Sequence, residues 1–116
     1  MNLQITTHII EDEYILFGVK SVLSIETLNS LEKFLNKYAN GKKHILIDLS
    51  EITFIDSSSL GILVIFNSKL EKNNKHLALI NISSYIMKIF ESTGLDKHIL
   101  IFDDIPSAID SLVLNK

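Results

Sequence analysis

The chain has no cysteine, one proline and only four glycines among 116 residues. Without cysteine, disulfides and thiolate metal sites are excluded. With so little proline and glycine, no stretch reads as an internal linker, so one domain spanning residues 1–116 is expected. Basic residues are outnumbered 11 to 14, and a net charge of −3 suits neither nucleic acid nor an anionic membrane surface. Long hydrophobic runs are also missing. The longest, Leu60 to Phe66, is far too short to cross a bilayer. The first ten residues lack the basic and apolar regions of a signal peptide, so a soluble, cytoplasmic protein is expected.

What is present is a core-forming composition. Hydrophobic residues make up 47% and charged residues 22%, which places the chain among globular rather than disordered proteins. A domain of this length buries roughly two thirds of its unfolded surface. Residues 3–9 alternate apolar and polar, as a half-buried strand does. Tyr14 to Val19 reads as a second strand, with Glu11-Asp12-Glu13 as the turn between them. Leu28, Leu31, Leu35 and Tyr38 recur at helical spacing and predict a helix over 25–38. Ser24 is its expected N-cap, and Gly41 its stop. The short apolar runs 45–49 and 77–80 read as strands buried on both faces. Ser83 is an expected cap for a helix reaching Glu91, with Gly94 at its C-terminus. A last strand is expected over 99–102. A last helix is expected over 105–114, with Pro106 in its first turn and Asp103-Asp104 in its cap region.

The segment Leu60 to Phe66 has strand propensity. Its flanks argue for a helix instead. Asp56 as N-cap places Ile55 and Leu60 in the staple positions, and Ser57, Ser58 and Ser59 in the first turn. Continued to Lys72, that helix is ~24 Å long. The resulting order predicts an α/β fold, with a mixed, mostly parallel sheet of about four to five strands and helices covering one face. On this helix Leu60, Leu63, Val64 and Leu70 form one stripe, while Ile62, Ile65 and Phe66 spill onto another. Either both sides are buried within the domain, or one is a docking surface.

The run Asp56-Ser57-Ser58-Ser59 is the chain's most informative feature. A serine at a helix start can cap, act as a nucleophile or carry a phosphate. A serine hydrolase needs a base beside the nucleophile, but His8, His44, His76 and His98 are scattered, and no Gly-x-Ser-x-Gly elbow is present. Nor do these histidines show metal-ligand spacing, and they are expected on the surface or at strand ends. A phospho-aspartate receiver domain has a similar length, but its acidic pair follows the first strand rather than the last. Lys42-Lys43 reads as a solvated turn, and Lys72 to Lys75 as a polar loop. No enzymatic activity, cofactor or metal is expected.

The string from Ile45 through Asp48-Leu49 to Asp56-Ser57-Ser58-Ser59-Leu60-Gly61 resembles the signature of the STAS domain. In particular it is similar to the small bacterial anti-sigma-factor antagonists. Leu77 to Ser83, followed by Thr93-Gly94-Leu95, resembles the family's next strand and helix, and Leu23 to Leu31 its first helix. Three positions depart from the pattern. Ser59 stands where the family usually has glycine, and Ser21 and Ser24 replace a glycine and an aspartate before the first helix. The resemblance implies an antagonist that captures an anti-sigma factor which is also an ATP-binding serine kinase. Phosphorylation of the second serine after the aspartate breaks that capture. By position this is Ser58, with Ser57 and Ser59 as alternates. The expected partner-facing set is Ser57, Ser58, Ser59, Ile62, Ile65 and Phe66. Within the same family, a non-catalytic adaptor subunit of a stress-signalling or transporter complex is the alternative. A monomer is expected, with a dimer left open.

Overall fold

A computed structural model describes residues 3–114, and the expected domain runs past these at both ends. Five strands form one sheet in the order β1 (Gln4–Ile10), β2 (Tyr14–Leu23), β3 (His44–Ile55), β4 (Leu77–Ile80), β5 (Leu100–Phe102). β1 runs antiparallel to β2, and the other neighbours are parallel. The α-helices are α1 (Leu28–Tyr38), α2 (Ser57–Glu71), α3 (Ser84–Thr93) and α4 (Ile105–Leu114), with a 3-10 turn at Leu95–Lys97. Among the described residues no helix is long and apolar enough to cross a membrane.

The period-two alternation of the strands divides the core into two layers. Ile45, Ile47, Leu77 and Leu79 face one way and pack with Leu31, Leu35, Leu60, Leu63, Ile86 and Phe90 of α1, α2 and α3. Leu46, Ala78 and Ile80 face the other way and pack with Ala108 and Leu112 of α4. The helical layer expected on one face therefore holds three helices, and α4 occupies the opposite face.

Two strands run further than their sequence pattern indicated. β2 continues to Leu23 and β3 to Ile55. Opposite β2, β3 carries two extra residues, because Gly18 pairs Asp48 while Lys20 pairs Glu51, and Ser21 pairs Ile52 while Val22 pairs Phe54. Each β-bulge shifts the inward phase by one residue. On the face that meets α1, α2 and α3, the buried positions thus run Ile45, Ile47, Leu49, then Ile52, then Ile55, which hides the strand from a simple alternation test.

The expected N-cap Ser24 is corrected. α1 begins at Leu28 with Thr27 in the cap position. Residues 24–27 form a separate turn, in which the Thr27 N–H donates to the Ser24 carbonyl at 3.0 Å. The Thr27 hydroxyl donates back to the Val22 carbonyl at 2.9 Å, so it caps no helical N–H. Gly41 lies beyond the helix end, whose C-cap is Ala39. Of the Lys42-Lys43 pair, only Lys42 is fully solvated, since Lys43 pairs with Asp12 at 3.2 Å. The caps at Ser83, Gly94 and Asp104 form as expected, with the Ser107 N–H donating to Asp104 Oδ1 at 2.9 Å. His44 lies at the start of β3, a strand end as expected for the histidines, and is buried there. It stacks on Tyr14 and His76, and its Nδ1 accepts the His76 backbone N–H at 3.0 Å.

Candidate functional site

β2 and β3 are parallel, so their C-terminal ends finish side by side at the pair Leu23 and Ile55. The two chains that leave this edge, toward α1 and α2, must run close together. Asp56 joins them. Its backbone N–H donates to the Leu23 carbonyl at 3.0 Å. Its extended backbone makes it the N-cap of α2, and Oδ1 accepts the Ser59 N–H at 3.1 Å. Oδ2 accepts the Ile25 N–H at 2.9 Å, across to the turn before α1. The Ser58 hydroxyl donates to Oδ1 at 2.7 Å. Burial raises the carboxyl's pKa, but the hydrogen bonds from Ser58, Ser59 and Ile25 together hold it below its ordinary 3.8.

The three serines occupy distinct environments. Ser57 is exposed, Ser58 is half-buried and Ser59 is fully buried. The Ser59 hydroxyl adds only a weak pull on the Asp56 carboxylate and has no partner in hydrogen-bond geometry. Ser59 therefore leaves both the expected partner-facing set and the alternate phosphosites. A kinase cannot reach a hydroxyl with no exposed surface while the helix start is closed. Phe66 also leaves the partner-facing set. It is 3% exposed, packed in the core, with Lys69 lying 4.5 Å over its ring. The helix is buried along Ser59, Leu60, Leu63, Phe66, Asn67 and Leu70 because it packs on the sheet and beside α1. The expected stripe member Val64 is only half-buried.

What remains on the outer face follows the i, i+4, i+7 spacing of one helical stripe: Ser58, Ile62 and Ile65. Ile62 is half-buried and Ile65 is 51% exposed. Gly61 lies in the same first turns, with open space where a Cβ would stand.

Sequence reasoning missed Ile25, 67% exposed, whose N–H is tied to Asp56. It falls inside the helix expected over 25–38, and only an exposed isoleucine within a non-helical turn could signal it. Ser24, where the family usually has aspartate, turns its hydroxyl inward and accepts the Glu26 N–H at 3.2 Å. Ser21 has φ +90, a backbone region that favours the glycine usual there. Asn67 was also missed. Its side chain accepts the Leu77 N–H at 2.9 Å and donates to Glu71 at 2.9 Å, fixing the start of β4 to α2. Among the described residues no group of three or more His, Asp or Glu side chains could hold a metal ion.

A family model described as the STAS domain matches residues 2–108. An anti-sigma-B factor antagonist of Staphylococcus aureus is 32% identical over 96 residues, covering 82% of this chain and 88% of the relative. A crystal structure of a putative anti-sigma factor antagonist from Thermotoga maritima matches with TM-score 0.81 and 25% identity over 94% of each chain. The phosphorylated form of the Bacillus cell fate determinant SpoIIAA has a similar fold, with TM-score 0.70 and 20% identity, over 94% of this chain and 99% of that one. The chain belongs to the STAS domain family, and the relatives it resembles are anti-sigma factor antagonists.

Proposed function

We propose that this domain is an anti-sigma-factor antagonist, that its partner is an anti-sigma factor acting as a serine kinase, and that phosphate on Ser58 ends their association. One observation carries this reading. Ser58 is the half-exposed serine at the second position of α2, and its hydroxyl is bonded at 2.7 Å to the carboxylate that also holds Ile25.

The chemistry of that bond gives the switch its direction. The unmodified hydroxyl donates a proton to Asp56. A phosphate on the same oxygen carries about −1.5 to −2 charges at neutral pH and has at most a fraction of a proton to offer. It cannot sit against the carboxylate, so it turns outward over Ser57 and the Ile62–Ile65 stripe. A partner docked there would have to bury an unpaired dianion beside apolar surface, which costs several kcal/mol. Shifting a complex from 99:1 bound to 1:99 takes about 5.5 kcal/mol. One outward phosphate reaches that range when the partner offers no cation.

The test is incubation with the candidate kinase and ATP, followed by fragment mass spectrometry and a binding titration of the modified protein. Phosphate at Ser58, absent from Ser58→Ala, with capture weakened by several orders of magnitude, is the expected result. Phosphate on Ser57 instead refutes the site. No phosphate, with stable binding to a non-kinase partner, turns the reading toward an adaptor subunit.

A further inference from the structure

β1 is an edge strand whose outer side is paired with nothing among the described residues. Natural edges are usually protected from pairing with other chains by charge, proline, bulges or shortness. β1 has none of these. It spans seven residues, Gln4–Ile10, with no Asp, Glu, Lys, Arg or Pro. Its register with β2 runs unbroken from Gln4 opposite Lys20 to Ile10 opposite Tyr14. The opposite edge, β5, has only three residues.

The strand is also close to a palindrome. Ile5-Thr6-Thr7-His8-Ile9 reads apolar, polar, Thr, polar, apolar in either direction. We propose that the free edge of β1 pairs antiparallel with β1 of a second copy, about a two-fold axis at Thr7. In this register Ile5 lies opposite Ile9 of the second copy, Thr6 opposite its His8, and Thr7 opposite its Thr7. The row Ile5, Thr7, Ile9 shares the sheet face that carries Val19, Phe17 and Ile15 on β2. It gives a cross-strand apolar neighbour to Ile9, which is 59% exposed, and to the half-buried Ile5. No charged groups are set opposite one another, and the outward N–H and C=O groups of both strands are satisfied. A foreign extended segment could use the same backbone groups, but the symmetric side-chain order matches a second copy of the chain. A seven-residue strand pair buries far less than the roughly 1,600 Å² of a standard stable interface, so the dimer forms only at high concentration.

Sedimentation equilibrium from about 10 μM to about 1 mM reads this association directly. The expected result is a mass rising toward twice the monomer for the wild type. Thr7→Lys, at an exposed position, puts like charges together at the axis and should stay monomeric throughout. The absence of native cysteine allows a second measurement. A two-fold axis at Thr7 brings the two Cα atoms to about 4.5–5.5 Å, within disulfide range. Thr7→Cys should then cross-link under mild oxidation about tenfold faster than Lys88→Cys on α3, because pairing raises the effective concentration of the thiol. A wild type monomeric at the highest concentration overturns the proposal and leaves the edge to a foreign strand. So does a dimer that persists in Thr7→Lys, or a Thr7→Cys that cross-links no faster than the control. If Thr7→Lys fails to fold by circular dichroism, Ile9→Lys carries the same test.

Discussion

Asp56 makes five ties: backbone bonds with Leu23 and Leu60 and side-chain bonds with Ile25, Ser58 and Ser59. Asp56→Ala removes the helix cap and the Ile25 acceptor together, and should cost about 2 kcal/mol in urea unfolding. Asp56→Asn keeps an oxygen for Ser59 but loses the charge and one acceptor, and should cost about 1 kcal/mol. The pH dependence has a definite sign. The folded carboxyl titrates below 3.8, so in acid the unfolded chain takes up the proton first. Its contribution is complete above that value and is lost as pH falls through it toward the folded pKa. The stability gap between wild type and Asp56→Asn, measured by urea unfolding, should therefore be full at about pH 6 and shrink near pH 3. Asp104, held low by the Ser107 hydroxyl and N–H, loses its contribution in the same direction. Ser21 poses a different problem, because its φ of +90 strains any residue with a Cβ. Ser21→Gly should raise stability by roughly 1 kcal/mol, since its side chain is exposed and none of the described bonds uses its hydroxyl.

α2 shows how far a helix can be understood from its own residues. Gly61 lies in its interior with open space around the missing Cβ. Gly61→Ala should therefore stabilise the fold by about 0.5–1 kcal/mol in thermal or urea unfolding, through the backbone freedom that alanine removes. The same methyl would project beside Ser58 and Ile62, so partner capture should weaken even as stability rises. A gain in both would show that no partner approaches this turn. The start of α2 was legible because Asp56, Ile55 and Leu60 fall in cap and staple positions, and Ser83 gave the same kind of signal for α3. The start of α1 was not. Ser24 and Thr27 are both good cap residues, and only a tertiary bond, Ile25 to Asp56, decides that the chain turns before the helix begins. The burial of Phe66 was hidden for a related reason. A helix rich in apolar residues on two sides does not reveal which side meets the sheet, and that choice is made by packing against β3, β4 and α1. Ile65→Lys should accordingly leave stability nearly unchanged, whereas Phe66→Ala should cost about 3–5 kcal/mol.

At the scale of the whole molecule, the sheet separates two layers with different duties. Consecutive parallel strands joined through α2 and α3 place those helices on one face, with α1 beside them. The candidate site lies on this side, where the connections that follow β2 and β3 meet beyond the carboxyl ends of parallel strands. α4 covers the other face through a smaller cluster around Tyr14, Leu46, Ala78 and Ile80. Among the described residues no hydrogen bond of the site reaches α4, whose Leu112 is fully enclosed by that cluster. Leu112→Ala should thus cost about 2–4 kcal/mol by leaving a cavity under the sheet. At temperatures where the variant is still folded, its affinity for the proposed anti-sigma-factor partner should stay within about twofold of wild type, as expected for distant, uncoupled positions. A parallel titration with Ile65→Lys should give the reverse, intact stability and weakened capture. If Leu112→Ala also lost capture while folded, the two faces would be coupled through β3. That strand contributes Leu46 to the α4 layer and ends at Ile55, immediately before Asp56.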